Sequence, residues 1–289
     1  MTDPAAIAVR DAATVMLVRD GDDGRLEVFM LRRNLRSDFV GGAYVFPGGA
    51  VDPADRLADL EPICEGRTDA DASTGLGLDP PRGGLAYWVA AIRESFEEAG
   101  VLLAYDAAGR VVDFRDPAVA ERFDRHRAAV DGGERRLVEI CAEEDLRLAV
   151  DGIHYFSHWI TPIGPTRRYD TRFFVAAAPV GQTPLHDDRE TIANCWIAPA
   201  EALARHEAGE FDLILPTIRN LEAIARFDTA AELLAAAAAL VRVPAILPRV
   251  VDDGDGVRIL LPGDPGYDGA GDGLPTDLPL PGRPGGPAT

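Results

Sequence analysis

The sequence contains no lysine; all 29 of its basic residues are arginine, set against 48 aspartates and glutamates for a formal net charge of −19. That balance excludes a broad basic face of the kind that lies along a phosphate backbone, so nucleic acid is not an expected partner. Cysteine is nearly absent. Cys64, Cys141 and Cys195 are odd in number, far apart and form no CxxC pair, which excludes a disulfide framework and suits reduced, buried thiols. No run reaches the roughly 18 apolar residues a membrane span needs, and MTDPAAIAVRDAA has neither the basic start nor the apolar stretch of a secretory signal. The expectation is a cytoplasmic protein with no membrane partner, its oligomeric state open and a homodimer included.

Several catalytic signatures are missing too. There is no Walker loop and no G-x-S-x-G elbow. Gly75 and Gly77 do not open a helix after a strand, so they make no dinucleotide fingerprint. His154 and His158 have a zinc-like spacing, but Tyr155, Phe156, Trp159 and Ile160 around them favour a strand, on which four residues span about 13 Å, too far for one ion. They read as core or hydrogen-bonding histidines.

What is present is a mixed α/β pattern. Ala13 to Arg19 and Leu26 to Arg33 are β-rich runs joined by Asp20-Gly21-Asp22-Asp23-Gly24, a hairpin signal. A short strand, Ala43 to Phe46, leads into Pro47-Gly48-Gly49, where glycine lets another group approach the backbone closely. Asp52 to Gly84 is rich in Asp, Gly, Pro and Thr, reads as irregular, and is too long for a simple connection. From Leu85 to Ala99 the helical period is strong, with Leu85, Val89, Ile92, Phe96 and Ala99 on one face and Gly100 placed as a left-handed cap. A strand at Val101 to Tyr105 follows, then helices near Pro117 to Val130 and Glu134 to Leu148. Strands are expected at Tyr155 to Thr161, Thr171 to Ala178 and Asn194 to Ala198. Further helices are expected near Pro199 to Glu207, Pro216 to Phe227 and Thr229 to Val241, and a short strand at Gly256 to Leu261. The Pro/Gly/Asp-rich end after Pro262 buries too little apolar surface to order itself.

The helix over Leu85 to Ala99 carries an electrostatic conflict. On a helical wheel Glu97 falls about 60° to one side of Glu94 and Glu98 about 40° to the other, opposite the apolar set. Like charges at spacings of three and four destabilise a helix by a few tenths of a kcal/mol each. In the last turn the macrodipole disfavours further anions by roughly 0.3–1 kcal/mol each. A solvated acidic face, with Arg93 paired to Glu97, is one resolution. A hard divalent cation such as Mg²⁺, which takes carboxylate oxygens and keeps positions open for water and phosphate, is the other.

Arg93-Glu94-Ser95-Phe96-Glu97-Glu98-Ala99-Gly100-Val101 resembles the second half of the Nudix hydrolase signature, R-E-U-x-E-E-x-G-U with U aliphatic. Phe46-Pro47-Gly48-Gly49 resembles its glycine end. In the family the arginine follows that glycine by 14 residues; here Arg93 follows Gly49 by 44, so about 30 residues are inserted within the box. Asp55 stands where the family has a glutamate, and Ser95 where it has an aliphatic residue. Phe156 to Pro162, Arg168 to Phe174, Trp196 to Leu203 and Leu215 to Leu221 are similar to the split-box branch that includes the acyl-coenzyme A diphosphatases. The similarity covers roughly residues 10 to 228.

The resemblance implies a Nudix-type α/β/α sandwich with a mixed sheet over 8–228, interrupted by an insertion at 56–85 and a helical one at 115–150. A helical extension at 229–261 and a loose tail at 262–289 complete the expected layout. It also implies hydrolysis of a phosphoanhydride in a small-molecule diphosphate, with Mg²⁺ or Mn²⁺ held by Glu94, Glu97 and Glu98. Arg93 would orient a glutamate, Gly48 and Gly49 would admit metal and phosphates, and Glu190 is a candidate general base. Arg32, Arg33 and Arg36 form a local basic cluster before the glycine loop; Arg33 and Arg36 are candidate substrate contacts, against a solvated hairpin edge. Coenzyme A or acyl-coenzyme A derivatives are the leading substrates. ADP-ribose, dinucleotides and other nucleoside-diphosphate-X compounds are the alternative, and a Nudix-fold binding or regulatory module without turnover is the second.

Overall fold

Alternating apolar residues on two adjacent strands set up the centre of the structure. In the computed structural model, which describes residues 7–35, 41–56, 60–187, 189–252 and 257–271, β1 (Val9–Asp20) and β2 (Leu26–Arg33) pair antiparallel through Val18–Val28 and Asp20–Leu26. Ala13, Val15, Leu17, Phe29 and Leu31 pack in one core with the following helix, and the alternate set Met16, Val18, Val28 and Met30 is buried as well. Both faces of these strands are therefore covered, as the middle layer of an α/β/α arrangement requires.

The elements follow in order. β3 (Tyr44–Val45) pairs with β2, and β4 (Gly48–Ala50) with β1. α1 (Asp69–Leu76) and α2 (Leu85–Ala99) precede β5 (Ala104–Tyr105), α3 (Pro117–Asp131), α4 (Leu137–Glu143) and β6 (Arg147–Leu148), and β5 and β6 form a small ribbon. β7 (Ile153–Ile160), β8 (Arg168–Ala177) and β9 (Thr191–Ile197) return to the sheet, and α5 (Pro199–Glu207), α6 (Leu215–Ile224) and α7 (Ala230–Ala238) follow. β10 (Ala245–Ile246), β11 (Arg249–Asp252) and β12 (Val257–Leu260) close the series.

The chain divides into two compact units. The larger comprises Ala12–Ser157 and Arg172–Val243. Its strands run β7-β8-β1-β2-β3, with β4 beside β1 and β9 antiparallel to β2. α2 lies on one face, and α5 packs on β2 and against α6. The smaller unit gathers the described parts of Met1–Asp11, His158–Thr171 and Pro244–Thr289. In it β10 runs parallel to β7, and β11 and β12 form an antiparallel ribbon.

Several expectations change in detail. The helix expected near Glu134 to Leu148 forms only at Leu137–Glu143 and is followed by β6, and the extension expected to be helical over 229–261 carries β10, β11 and β12 after α7. The segment from Asp52 to Gly84 is not simply irregular: it contains α1, capped by the Thr68 side chain accepting from the Asp71 N–H and ended by Gly77 at φ 69°. The strand expected over Val101 to Tyr105 forms only at Ala104–Tyr105. The acidic face of α2 is not turned to solvent: Arg93, Ser95 and Glu98 are buried along with the apolar residues. Arg36 and the end of the tail, 272–289, lie outside the described residues.

Candidate active site

The acidic turn of α2 is buried because β4 lies against it. The Gly48 N–H donates to Glu98 Oε2 at 2.9 Å. At Gly49 a Cβ would stand 2.4 Å from Glu94 Oε1, so the second glycine is required by the approach of a carboxylate as well as by any ligand. Both box glycines thus lie against box glutamates that are far from them in sequence, Gly48 against Glu98 and Gly49 against Glu94.

Glu97 is placed differently, by Arg93. The Arg93 guanidinium spends its Nη1 on Glu94 Oε1 at 2.8 Å and Glu97 Oε2 at 3.3 Å, and donates from Nη2 to the Ala50 carbonyl at 2.7 Å. Its Nε and Nη2 reach Asp55 at 3.0 and 2.9 Å. Asp55 is itself 2 % exposed and accepts from the Asp52 N–H at 2.8 Å. Asp55, whose role is doubtful from sequence because aspartate is the shorter acid, therefore anchors the arginine that spaces two glutamates. Burial works against the charge on Arg93, but its hydrogen bonds to Asp55 and the nearby carboxylates hold its pKa above the ordinary value.

The helix end has a second arginine that sequence reading does not find. Arg127 of α3 donates from Nε to the Glu97 carbonyl and from Nη2 to the Glu98 carbonyl, each at 2.9 Å. These groups face the negative pole of the helix, where a cation is stabilising. Gly100 adopts φ 66° as the left-handed cap, and a Cβ there would meet Arg127 Nη1 at 3.0 Å.

The titration of the glutamates follows from this burial. Desolvation pushes Glu94 up to about 7, against the lowering effect of Arg93. Glu97 is raised, again chiefly by desolvation. Glu98 is raised well above the usual carboxylate range by burial and by the Glu94 charge, with Gly48 and Arg33 opposing. Glu98 is buried and Glu94 and Glu97 are half-buried, with Arg93 shared between Glu94, Glu97 and Asp55 and Arg33 opposing at Glu98, so the site is short of positive charge. Oxygen donors beside a glycine backbone are what a hard divalent cation takes, so the donor set fits such an ion.

A competing group needs weighing. Among the described residues, the set of three ligand-type side chains with donor atoms within 4.8 Å of one another is His126, Glu143 and Glu144, not the box glutamates. Its acids are already compensated: Arg122 Nε lies 2.9 Å from Glu144 Oε1, Arg135 Nη2 lies 2.7 Å from Glu143 Oε2, and His126 Nε2 lies 2.9 Å from Glu144 Oε1. That network is electrically satisfied, whereas the box is not.

Of the other candidates, Arg33 is half-buried on β2 and close enough to lower Glu98. Glu190 is exposed, and its charge is felt at Glu98. His158, read as a hydrogen-bonding histidine, is buried with Nε2 2.5 Å from Asp170 Oδ1. No described helix is long and apolar enough to cross a membrane.

Comparison with known proteins bears on the same residues. The family model of the NUDT19 Nudix domain matches residues 9–224. A Gallus gallus protein named acyl-coenzyme A diphosphatase NUDT19 is 30% identical over 89% of this chain and 79% of its own length. The Homo sapiens protein of that name is 29% identical over 83% and 72%. The crystal structure of a Nudix hydrolase from Alicyclobacillus acidocaldarius superposes with a TM-score of 0.65 at 26% identity, covering 80% of this chain and 97% of that one.

Proposed function

This chain belongs to the Nudix hydrolase family, in the branch of the NUDT19 Nudix domain, and on that premise we propose that it hydrolyses the diphosphate of coenzyme A or acyl-coenzyme A compounds at the acidic turn of α2 beside β4. The products would be a phosphopantetheine and adenosine 3′,5′-bisphosphate. The observation that carries the site assignment is the closure of Gly48 on Glu98 and of Gly49 on Glu94. The substrate class is supported by the name shared by the two vertebrate relatives.

Glu94, Glu97 and Glu98 would hold Mg²⁺ or Mn²⁺, which when bound neutralises phosphate charge and acidifies a bound water. The protein's own part is positional. Arg93 fixes Glu94 and Glu97 through bonds that Asp55 and the Ala50 carbonyl keep rigid, so the carboxylates are held in place before substrate arrives. Gly48 and Gly49, with no side chains, let the backbone of β4 lie directly against those carboxylates. Arg33 supplies positive charge next to Glu98 and suits a contact with an anionic substrate. Glu190, exposed and with its charge felt at Glu98, is our candidate general base. A cytoplasmic setting fits the three free thiols.

The test is a hydrolysis screen with Mg²⁺ or Mn²⁺ across coenzyme A esters, ADP-ribose, dinucleotides and nucleoside triphosphates, with Glu97→Gln and Glu98→Gln beside the wild type. We expect coenzyme A compounds to give the highest kcat/KM and each variant to lose at least about a hundredfold. Preferred turnover of ADP-ribose or dinucleotides would overturn the substrate assignment, and no turnover above the variants would overturn the activity.

A further inference from the structure

A polar cavity lies in the larger unit and includes none of Gly48, Gly49, Arg93, Glu94, Glu97 and Glu98. It has a volume of about 130 Å³ and is lined by Arg67, Gly75, Trp88, His154, Tyr155 and the chain from Ala237 to Val243, including Arg242. Two arginines and a histidine face it and no carboxylate lines it, in a protein of net charge −19. Asp71 and Asp151 are within electrostatic reach of Arg67 but lie outside the lining.

Two of the residues that line it carry a polar atom without a partner: Arg67 Nε and the Tyr155 hydroxyl are buried and make no hydrogen bond. Arg67 makes no ion pair among the described residues; the Trp88 ring lies 4.8 Å from its guanidinium carbon, and Trp88 is itself fixed by donating to the Ile153 carbonyl at 2.9 Å. Burial and the Arg67 charge keep His154 below its ordinary value, so at neutral pH its ring offers one N–H and does not add to the positive charge.

We propose that this cavity binds a phosphate-class oxyanion, held by Arg67 and Arg242 with His154 as a neutral donor. Its volume is roughly that of four waters, enough for a tetrahedral anion. The anion balances two arginines that no lining carboxylate compensates, and it joins α1 of the box insertion to the segment after α7. Free inorganic phosphate and the phosphomonoester end of a nucleotide share this chemistry. The inference does not depend on the diphosphatase reading.

The experiment is isothermal titration of the full chain in chelator, with sodium phosphate and with adenosine 3′,5′-bisphosphate at matched ionic strength. Wild type is compared with Arg67→Gln and with Gly75→Glu, a position where a Cβ meets no atom within 4 Å. We expect saturable binding weakened at least about tenfold in both variants, as loss of a charge-assisted contact implies, with diphosphate turnover within about twofold of wild type. Tighter binding of the bisphosphate than of phosphate would assign a nucleotide end as the source, and equal binding the free ion. No saturable binding, binding unchanged in both variants, or turnover lost along with binding would each overturn the proposal.

Discussion

Asp55 and Arg93 form a buried pair 38 residues apart in sequence, with contacts of 3.0 and 2.9 Å from the guanidinium Nε and Nη2 to the two carboxylate oxygens. The pair ties the start of the box insertion to the helix that follows it. Removing one partner of a buried ion pair leaves the other charge uncompensated, at a cost of about 3–5 kcal/mol. Asp55→Ala is expected to lower stability by that amount in urea unfolding and to reduce kcat through the freed Arg93. Asp55→Asn, which keeps the shape but loses the charge, is expected to fall between the two. Wild-type stability in Asp55→Ala would show that the pair is ornamental.

The adjacent glycines make opposite demands. A Cβ at Gly48 would stand 2.6 Å from the Thr14 Cα and the Ala13 carbonyl, both backbone, so Gly48→Ala must displace β1 or β4 and should destabilise the fold. At Gly49 the three atoms nearest a Cβ all belong to the Glu94 carboxylate, a side chain and not backbone. Gly49→Ala should therefore keep its unfolding midpoint within a few degrees while losing activity by an order of magnitude or more. Thermal melts beside steady-state kinetics separate the two, and equal effects at both positions would contradict the packing described here.

Ser95 occupies the box position where the family has an aliphatic residue. It is fully buried, and its Oγ has no hydrogen-bond partner. Ser95→Ala removes an unsatisfied hydroxyl and improves helix propensity. Stability should rise by about 1 kcal/mol in chemical denaturation with activity unchanged; a loss of stability would mean that the hydroxyl is bonded.

Burial pushes the Cys64 and Cys141 thiols up to about 12 and Cys195 to about 11. Since the thiolate is the reactive form, a group raised this far is almost wholly neutral at pH 8, and its reactivity should climb about tenfold per pH unit up to the shifted value. Alkylation of the native protein at pH 8 should be slow and become stoichiometric on denaturation. Rapid labelling of any one cysteine in the native state would contradict that.

Local signals made much of this legible. The turn formers between β1 and β2 gave the hairpin, and the spacing of Leu85, Val89, Ile92 and Phe96 with Gly100 gave α2 within the observed bounds. α1 was hidden because seven small or acidic residues and a single leucine, Leu76, carry almost no apolar period, although Thr68 three before Asp71 was a usable cap signal. The burial of the acidic face was not legible, since it depends on β4 arriving from 45 residues away. Arg127 was invisible for the same reason: a side chain that caps a helix from another helix leaves no mark at the helix it caps.

The central claim is that the carboxylates of the last turn of α2, and not the compensated group at His126, Glu143 and Glu144, hold the divalent cation. Electron paramagnetic resonance of Mn²⁺ titrated into the wild type, Glu98→Gln and Glu144→Gln tests it directly. The account predicts Mn²⁺ affinity at least about tenfold weaker in Glu98→Gln, as loss of a charged ligand implies, and unchanged in Glu144→Gln. Unchanged affinity in Glu98→Gln, or the loss appearing in Glu144→Gln instead, would contradict it.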